Sequence, residues 1–187
     1  DWLLSVEEGY HLLSGVSERV ILAGLSMGGA LALTMAAQLP TAGVIAMATP
    51  YGLPQDWRLD YTEWLSKLQP YLPKSSDPPS TGWFDKQAWN EHISYPQNPL
   101  RSIGELKKLL ELMRSALPRV TAPTLLIYSK DDIYLPLGSE ASMNYIYDHL
   151  GSARKQKLLI SGSGHVLTRD AQRETVFRTA AEFIHSL

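Results

Sequence analysis

The chain is 187 residues long, 44% hydrophobic and 19% charged, with a formal net charge of −2. That is enough for one domain with a core of its own, and it excludes both a disordered polyelectrolyte and the basic footprint of a nucleic-acid binder. With no cysteine there is no disulfide framework and no thiolate metal site, and no apolar stretch approaches the roughly 20 residues that span a bilayer.

In chain order, Leu3, Val6, Tyr10 and Leu13 recur at helical spacing, so residues 1–13 are expected to form an amphipathic helix. "ERVILAGL" (18–25) is β-branched and apolar on both faces, the pattern of a buried parallel strand. "MGGALALTMAAQ" (27–38) is small and apolar throughout and suits a helix packed tightly on a sheet. "AGVIAMAT" (42–49), "APTLLIYS" (122–129) and "KQKLLIS" (155–161) read as three further strands. "GSEASMNYIYDHL" (138–150) reads as a helix between the last two. A final helix runs from about Ala171 to His185, with Val176, Ala180, Ile184 and Leu187 on one face. Strands alternating with helices give an α/β class with a mostly parallel sheet.

Residues 50–118 break the alternation. They hold nine of the twelve prolines and four of the five tryptophans, Trp57, Trp64, Trp83 and Trp89. "KSSDPPSTG" (74–82) is a loop by composition. "SIGELKKLLELMRSAL" (102–117) is expected to be a helix opened by a capping box of Ser102 and Glu105. The organisation expected is therefore a core in two pieces, 1–49 and 119–187, separated by a cap at 50–118.

"GLSMGG" (24–29) stands between the first strand and the helix that follows. G-x-S-x-G in that context is a nucleophile elbow. Its sharp turn strains Ser26 and lifts the hydroxyl to the carboxyl end of the sheet. Gly24 and Gly28 would remove side chains that collide there, and Gly29 would let the helix approach. A serine hydroxyl needs a base to take its proton, and the base needs an orienting carboxylate. The elbow predicts the order Ser, then Asp or Glu, then His, each after a strand. "KDDIYLP" follows one strand and "GSGHVLTRD" another. Of five histidines only His165 lies just beyond a strand in a glycine-flanked loop. Asp131 and Asp132 both stand at the acid position. Asp132 is favoured, and Asp131 would then face solvent or brace the loop. Asp170 reads as the N-cap of the last helix.

At these residues the chain resembles a family. "GLSMGG", "YSKDDIYLP" and "SGSGHVLTRD" look like the bacterial carboxylesterases and monoacylglycerol lipases of the α/β-hydrolase fold. "DWLLSVEEGYHLL" is similar to the helix before their elbow strand. In that family the acid lies four residues before the proline of a D-x-x-V-P stretch. Asp132 to Pro136 matches with Leu for Val, which supports Asp132. The resemblance implies a Ser26–His165–Asp132 triad, the Met27 backbone N–H as an oxyanion donor, a cap that forms an acyl-chain pocket, and no cofactor. It also implies a small acyl ester as substrate. The opening "DWLLSVEEGY" is acidic and amphipathic with no cationic leader, so a cytoplasmic location and no stable membrane insertion are expected; the sequence does not fix the oligomeric state, and a monomer is favoured. The family carries a His-Gly-Phe-type stretch early in its chain that supplies a second oxyanion donor, and residues 1–23 hold no match to it. The first strand would then lie at a bare edge, and an N-terminal portion outside this sequence is expected. A thioesterase, peptidase or perhydrolase would use the same triad. A non-catalytic binding protein would keep the fold and leave Ser26 idle.

Overall fold

The computed structural model describes residues 1–74 and 82–187, so most of the loop expected at 74–82 lies outside the described residues. The elements are α1 (Trp2–Ser14), β1 (Ile21–Leu25), α2 (Met27–Ala36), β2 (Gly43–Met47), a 3-10 turn (Trp57–Tyr61), α3 (Thr62–Leu68), β3 (Tyr71–Pro73), α4 (Lys86–Asn90), β4 (Gln97–Pro99), α5 (Leu100–Ala116), a second 3-10 turn (Leu117–Arg119), β5 (Thr124–Ser129), α6 (Ser139–His149), β6 (Lys155–Ile160) and α7 (Arg173–Ser186).

Four strands form one sheet in the order β1-β2-β5-β6, and every neighbouring pair is parallel. The alternation of side chains across a strand explains why β2 and β5 are apolar at nearly every position. Val44 and Ala46 of β2, with Leu126 and Tyr128 of β5, face a core shared with α1, α2, α5 and α6. Ile45 of β2, with Leu125 and Ile127 of β5, faces the other way, onto Val176 and Phe183 of α7. Helices therefore cover both faces, and the expected α/β architecture stands. Among the described residues β1 pairs only with β2, so its other edge is unpaired, as expected for this strand.

The segment between β2 and β5 is of two kinds. The buried side of α5 (Leu109, Leu110, Met113) belongs to the main core. Residues 54–74 and 82–99 lie outside it, with short helices and an antiparallel pair, β3 with β4, in register Tyr71↔Pro99. That pair was not expected, because a three-residue strand ending in proline carries no strand signature.

Several expectations need correction. Leu13 is exposed, because α1 docks through Tyr10, whose hydroxyl donates to the Pro40 carbonyl at 3.0 Å. Ile184 is also exposed, and its neighbour Phe183 takes the core position on α7. The capping box does not form. α5 begins at Leu100 behind Pro99, which puts Ser102 inside the first turn, and Glu105 accepts from Lys108 instead. Asp170 does not cap α7, which starts three residues later; its carboxylate accepts amides from other segments.

Candidate active site

All four strands of the sheet are parallel, so their carboxyl ends lie along one edge, where open α/β sheets gather ligands. Ser26 follows β1, Asp132 follows β5 and His165 follows β6. β2 separates the serine from the acid's strand, so the His165 loop must reach back across the sheet edge.

Ser26 sits between β1 and α2 at φ 56°, ψ −119°. Only two non-glycine residues among those described have positive φ, and the other is Ala48 (φ 44°), just beyond the paired end of β2. Such backbone costs on the order of 1–3 kcal/mol and persists only where the surroundings enforce it. The enforcement is visible. The Ser26 N–H donates to the Met47 carbonyl at 2.8 Å, and the Ser26 carbonyl accepts from Gly29 at 3.0 Å. A Cβ on Gly24 would run into the backbone of Gly28 and Gly29, and one on Gly29 into the Thr49 hydroxyl. Gly28 differs from expectation, since a Cβ there would meet nothing within 4 Å. The Met27 N–H, first of α2, has no acceptor in the hydrogen-bond pattern of the described residues.

The histidine and acid loops are joined directly. His165 Nδ1 lies 2.7 Å from Asp132 Oδ2. A carboxylate only accepts, so Nδ1 donates this bond, and in the neutral ring Nε2 is the acceptor. The Asp132 side chain is fully buried, while that of His165 keeps 20% exposure, which leaves the ring approachable from one side. Asp132 Oδ1 accepts from the Tyr134 N–H at 2.9 Å, which uses the second oxygen to fix the rotamer. No hydrogen bond joins the Ser26 hydroxyl to His165 among the described residues.

Asp131 points elsewhere. Its Oδ2 accepts from the Gly162 N–H at 2.7 Å, tying the acid loop to the histidine loop. Ser129, buried at the end of β5, adds to this tie. Its hydroxyl donates to the Ser163 carbonyl at 2.6 Å and accepts from the Asp131 N–H at 3.2 Å. Beneath them the Tyr128 phenol donates to the Thr49 carbonyl, and burial pushes its pKa upward, so it stays neutral.

A cavity of about 690 Å³ opens beside His165. Its walls include Leu72, Trp83, Trp89, Tyr95 and Tyr134. Trp83, Trp89 and His92 form a ring cluster with centroids 4.9–6.2 Å apart. Burial, with the nearby charges of Arg169 and Lys74, lowers the His92 pKa. Among the described residues no three His, Asp or Glu side chains gather as a metal site, and no helix is long and apolar enough to cross a membrane.

Residues 11–172 match the family described as serine aminopeptidase, S33. The chain belongs to that family. It is an enzyme of the α/β-hydrolase superfamily, a serine hydrolase of the carboxylesterase and lipase type. It is 26% identical over 188 residues to a carboxylesterase of Bacillus subtilis (strain 168), covering all of this chain and 72% of that protein. It is 28% identical over 184 residues to a thermostable monoacylglycerol lipase of Bacillus sp. (strain H-257), covering 98% of this chain and 69% of that one. Among solved structures, a metagenome-derived lipolytic enzyme superposes with a TM-score of 0.82 at 26% identity, covering all of this chain and 73% of that one. The monoacylglycerol lipase of Paleococcus ferrophilus superposes with a TM-score of 0.77 at 20% identity, covering 97% and 75%, and shows the shared fold.

Within this family member, sequence reasoning missed Ser129 as a tie between loops. A buried serine ending an apolar strand is a weak signal. It also missed the loop contacts of Asp170, which come from residues 84 and 85, far away in the chain.

Proposed function

We propose that the chain carries out carboxylic ester hydrolysis through an acyl-enzyme, with Ser26 as nucleophile, His165 as base and Asp132 as the acid that orients it. The observation that carries this reading is the strained elbow at Ser26 on the same sheet edge as His165 hydrogen-bonded to the buried Asp132 at 2.7 Å. In the first step Ser26 Oγ attacks the ester carbonyl while His165 Nε2 takes its proton. Collapse of the tetrahedral intermediate returns that proton to the departing alcohol. Water, deprotonated by the same Nε2, then cleaves the acyl-enzyme and regenerates Ser26. Asp132 holds the imidazole with Nε2 toward the serine and stabilises the imidazolium that forms. The free Met27 N–H at the start of α2 is one donor to the oxyanion, and the helix dipole favours charge there.

The cavity beside His165 suits an apolar acyl chain of short to medium length, because Trp83, Trp89, Tyr95 and Tyr134, with Leu72, line it. The names of the two Bacillus relatives point the same way, toward carboxylic esters or monoacylglycerols. A fluorophosphonate probe tests the reading on the full-length protein. Labelling at Ser26, lost in His165→Ala, is the expected result. An unlabelled Ser26 in folded protein would make the chain a binding protein of the same fold. Turnover of a thioester or an aminoacyl amide in preference to every ester tried would move the reaction class while keeping the triad.

A further inference from the structure

Asp170 is completely buried, yet its carboxylate bonds neither to an N–H of helix α7 nor to the Asp132–His165 pair. Its two oxygens are occupied by backbone amides from three segments. Oδ2 accepts from the Gly164 N–H at 2.5 Å. Oδ1 accepts from the Phe84 N–H at 2.9 Å, the Asp85 N–H at 2.6 Å and the Ala171 N–H at 2.8 Å. Gly164 immediately precedes His165, and Phe84 immediately follows Trp83, a wall of the cavity. One carboxylate thus grips the residue beside the histidine and the residue beside the cavity wall.

The surrounding packing closes the same joint. A Cβ on Gly164 would overlap the Gly82 carbonyl, so the two backbones are in direct contact. Gly82 itself, at φ 71°, leaves no room for a Cβ beside Tyr134 and Ile133 of the acid loop. Asp85 accepts from Arg173 Nη1 at 2.8 Å and caps α4 through the Gln87 and Ala88 N–H groups, each at 3.0 Å. α4 carries Trp89. From Asp170 a short run of hydrogen bonds therefore reaches both ends of the site, and only an all-acceptor side chain satisfies it.

We propose that Asp170 is a positioning residue that fixes the cap wall at 82–89 and the His165 loop relative to one another, so that this part of the cap is a built-in wall of the site and not a lid. The chemical consequence rests on the hydrolase reading, because it requires His165 to be a base. The geometric consequence does not. Misplacement of a catalytic group by about 1 Å costs on the order of 10²-fold in rate. Asp170→Asn keeps the size but turns an NH2 toward amides that only donate, so at least one of the two grips is lost.

The test uses the full-length protein and two readouts. In amide hydrogen exchange of the wild type, Gly164, Phe84 and Asp85 should be protected and should open together, and Asp170→Asn should release them. In kinetics, Asp170→Asn should lower kcat/KM for p-nitrophenyl acetate about 10²-fold and shift the acid limb of its pH profile, which reports His165. It should also raise KM for p-nitrophenyl octanoate, which reports the cap wall. A lower Tm with unchanged kcat/KM, KM and pH limb below the transition would make Asp170 purely structural and overturn the proposal. So would wild-type exchange in which Phe84 and Asp85 open independently of Gly164, a result that decides the matter even if the variant does not fold. If the wild type neither turns over esters nor labels at Ser26, the hydrolase reading fails, and coupled exchange alone then supports the joint.

Discussion

The sheet and the outer segment expected as part of a cap, of which residues 54–74 and 82–99 are described, use their large apolar residues in opposite ways. In β5 every residue from Thr124 to Ser129 is buried, and in α2 seven consecutive-to-near positions from Gly29 to Ala36 are buried. In the cap Trp57 is 72% exposed, Trp64 60% and Leu68 72%, while Trp83 is 8% exposed. The sheet fills volume with small and branched residues in register. The outer segment places Trp83 and Trp89 on the wall of the cavity beside His165 and Trp57, largely exposed, at the rim of a second hollow with Tyr51 and Tyr145. Tryptophan content alone therefore does not separate residues beside His165 from those elsewhere on the surface.

The largest effect should appear where the sheet strains its own backbone. Ser26→Ala should lower kcat for ester hydrolysis by a factor on the order of 10⁶ without loss of Tm. His165→Ala should cost about as much, and the double variant should be no worse than either alone. Multiplying losses would show that the two residues do not share a step.

Next come two neighbours that differ only in what they touch. Asp132→Asn should reduce turnover by about 10⁴, because His165 is then held in the wrong tautomer. Asp131→Asn keeps an oxygen that can still accept from Gly162, and it should change turnover little. Steady-state kinetics on both variants checks the ranking, and the reverse order would place the acid one residue earlier.

The contrast between sheet and cap also explains what was legible in the sequence. β2 and β5 are buried on both faces and so are apolar at nearly every position, while the edge strands β1 and β6 are partly exposed but keep the apolar runs Ile21–Leu22 and Leu158–Ile160; all four are readable, with ends that shift by only a few residues. The elbow's motif is local, so Gly24, Ser26 and Gly29 are readable from six letters even though Met47 and Thr49, on and beyond β2, help to enforce it. The cap elements are three to seven residues long, interrupted by proline, and held by tertiary contacts, so β3, β4 and α4 left no periodic signal. Asp170 was misread for a related reason. An aspartate shortly before a helix is the ordinary N-cap pattern, and nothing local announces that its partners lie 85 and 86 residues away. Ser102 and Glu105 had the capping pattern at the right spacing, but Pro99 set the helix start first.

Stability should divide along the same line. Leu126 is wholly buried in the centre of the sheet between β2 and β6. Leu126→Ala leaves a cavity that neighbours fixed by strand register cannot fill, so a loss of about 2–5 kcal/mol is expected. Denaturant unfolding of the full-length protein measures it. A loss below about 1 kcal/mol would mean that the sheet relaxes around the gap, contrary to a core packed by register.

The smallest effect belongs to Trp57. Its ring meets Tyr61 edge-on at 5.9 Å, four residues along the same turn, and little else covers it. An aromatic pair of this kind can contribute about 0.5–1.5 kcal/mol when buried. Here the contact is local and mostly in water, so the unfolded chain can keep part of it and the folded chain gains little. Trp57→Ala should change unfolding stability by no more than about 0.5 kcal/mol. It should also leave kcat/KM for a medium-chain ester unchanged, since Trp57 does not line the cavity beside His165. Trp89→Ala, on the cavity wall, should instead raise KM for that ester. If Trp57→Ala destabilises by more than about 1.5 kcal/mol, the ring is covered in the working protein, and the division of the cap into wall and surface has to be redrawn.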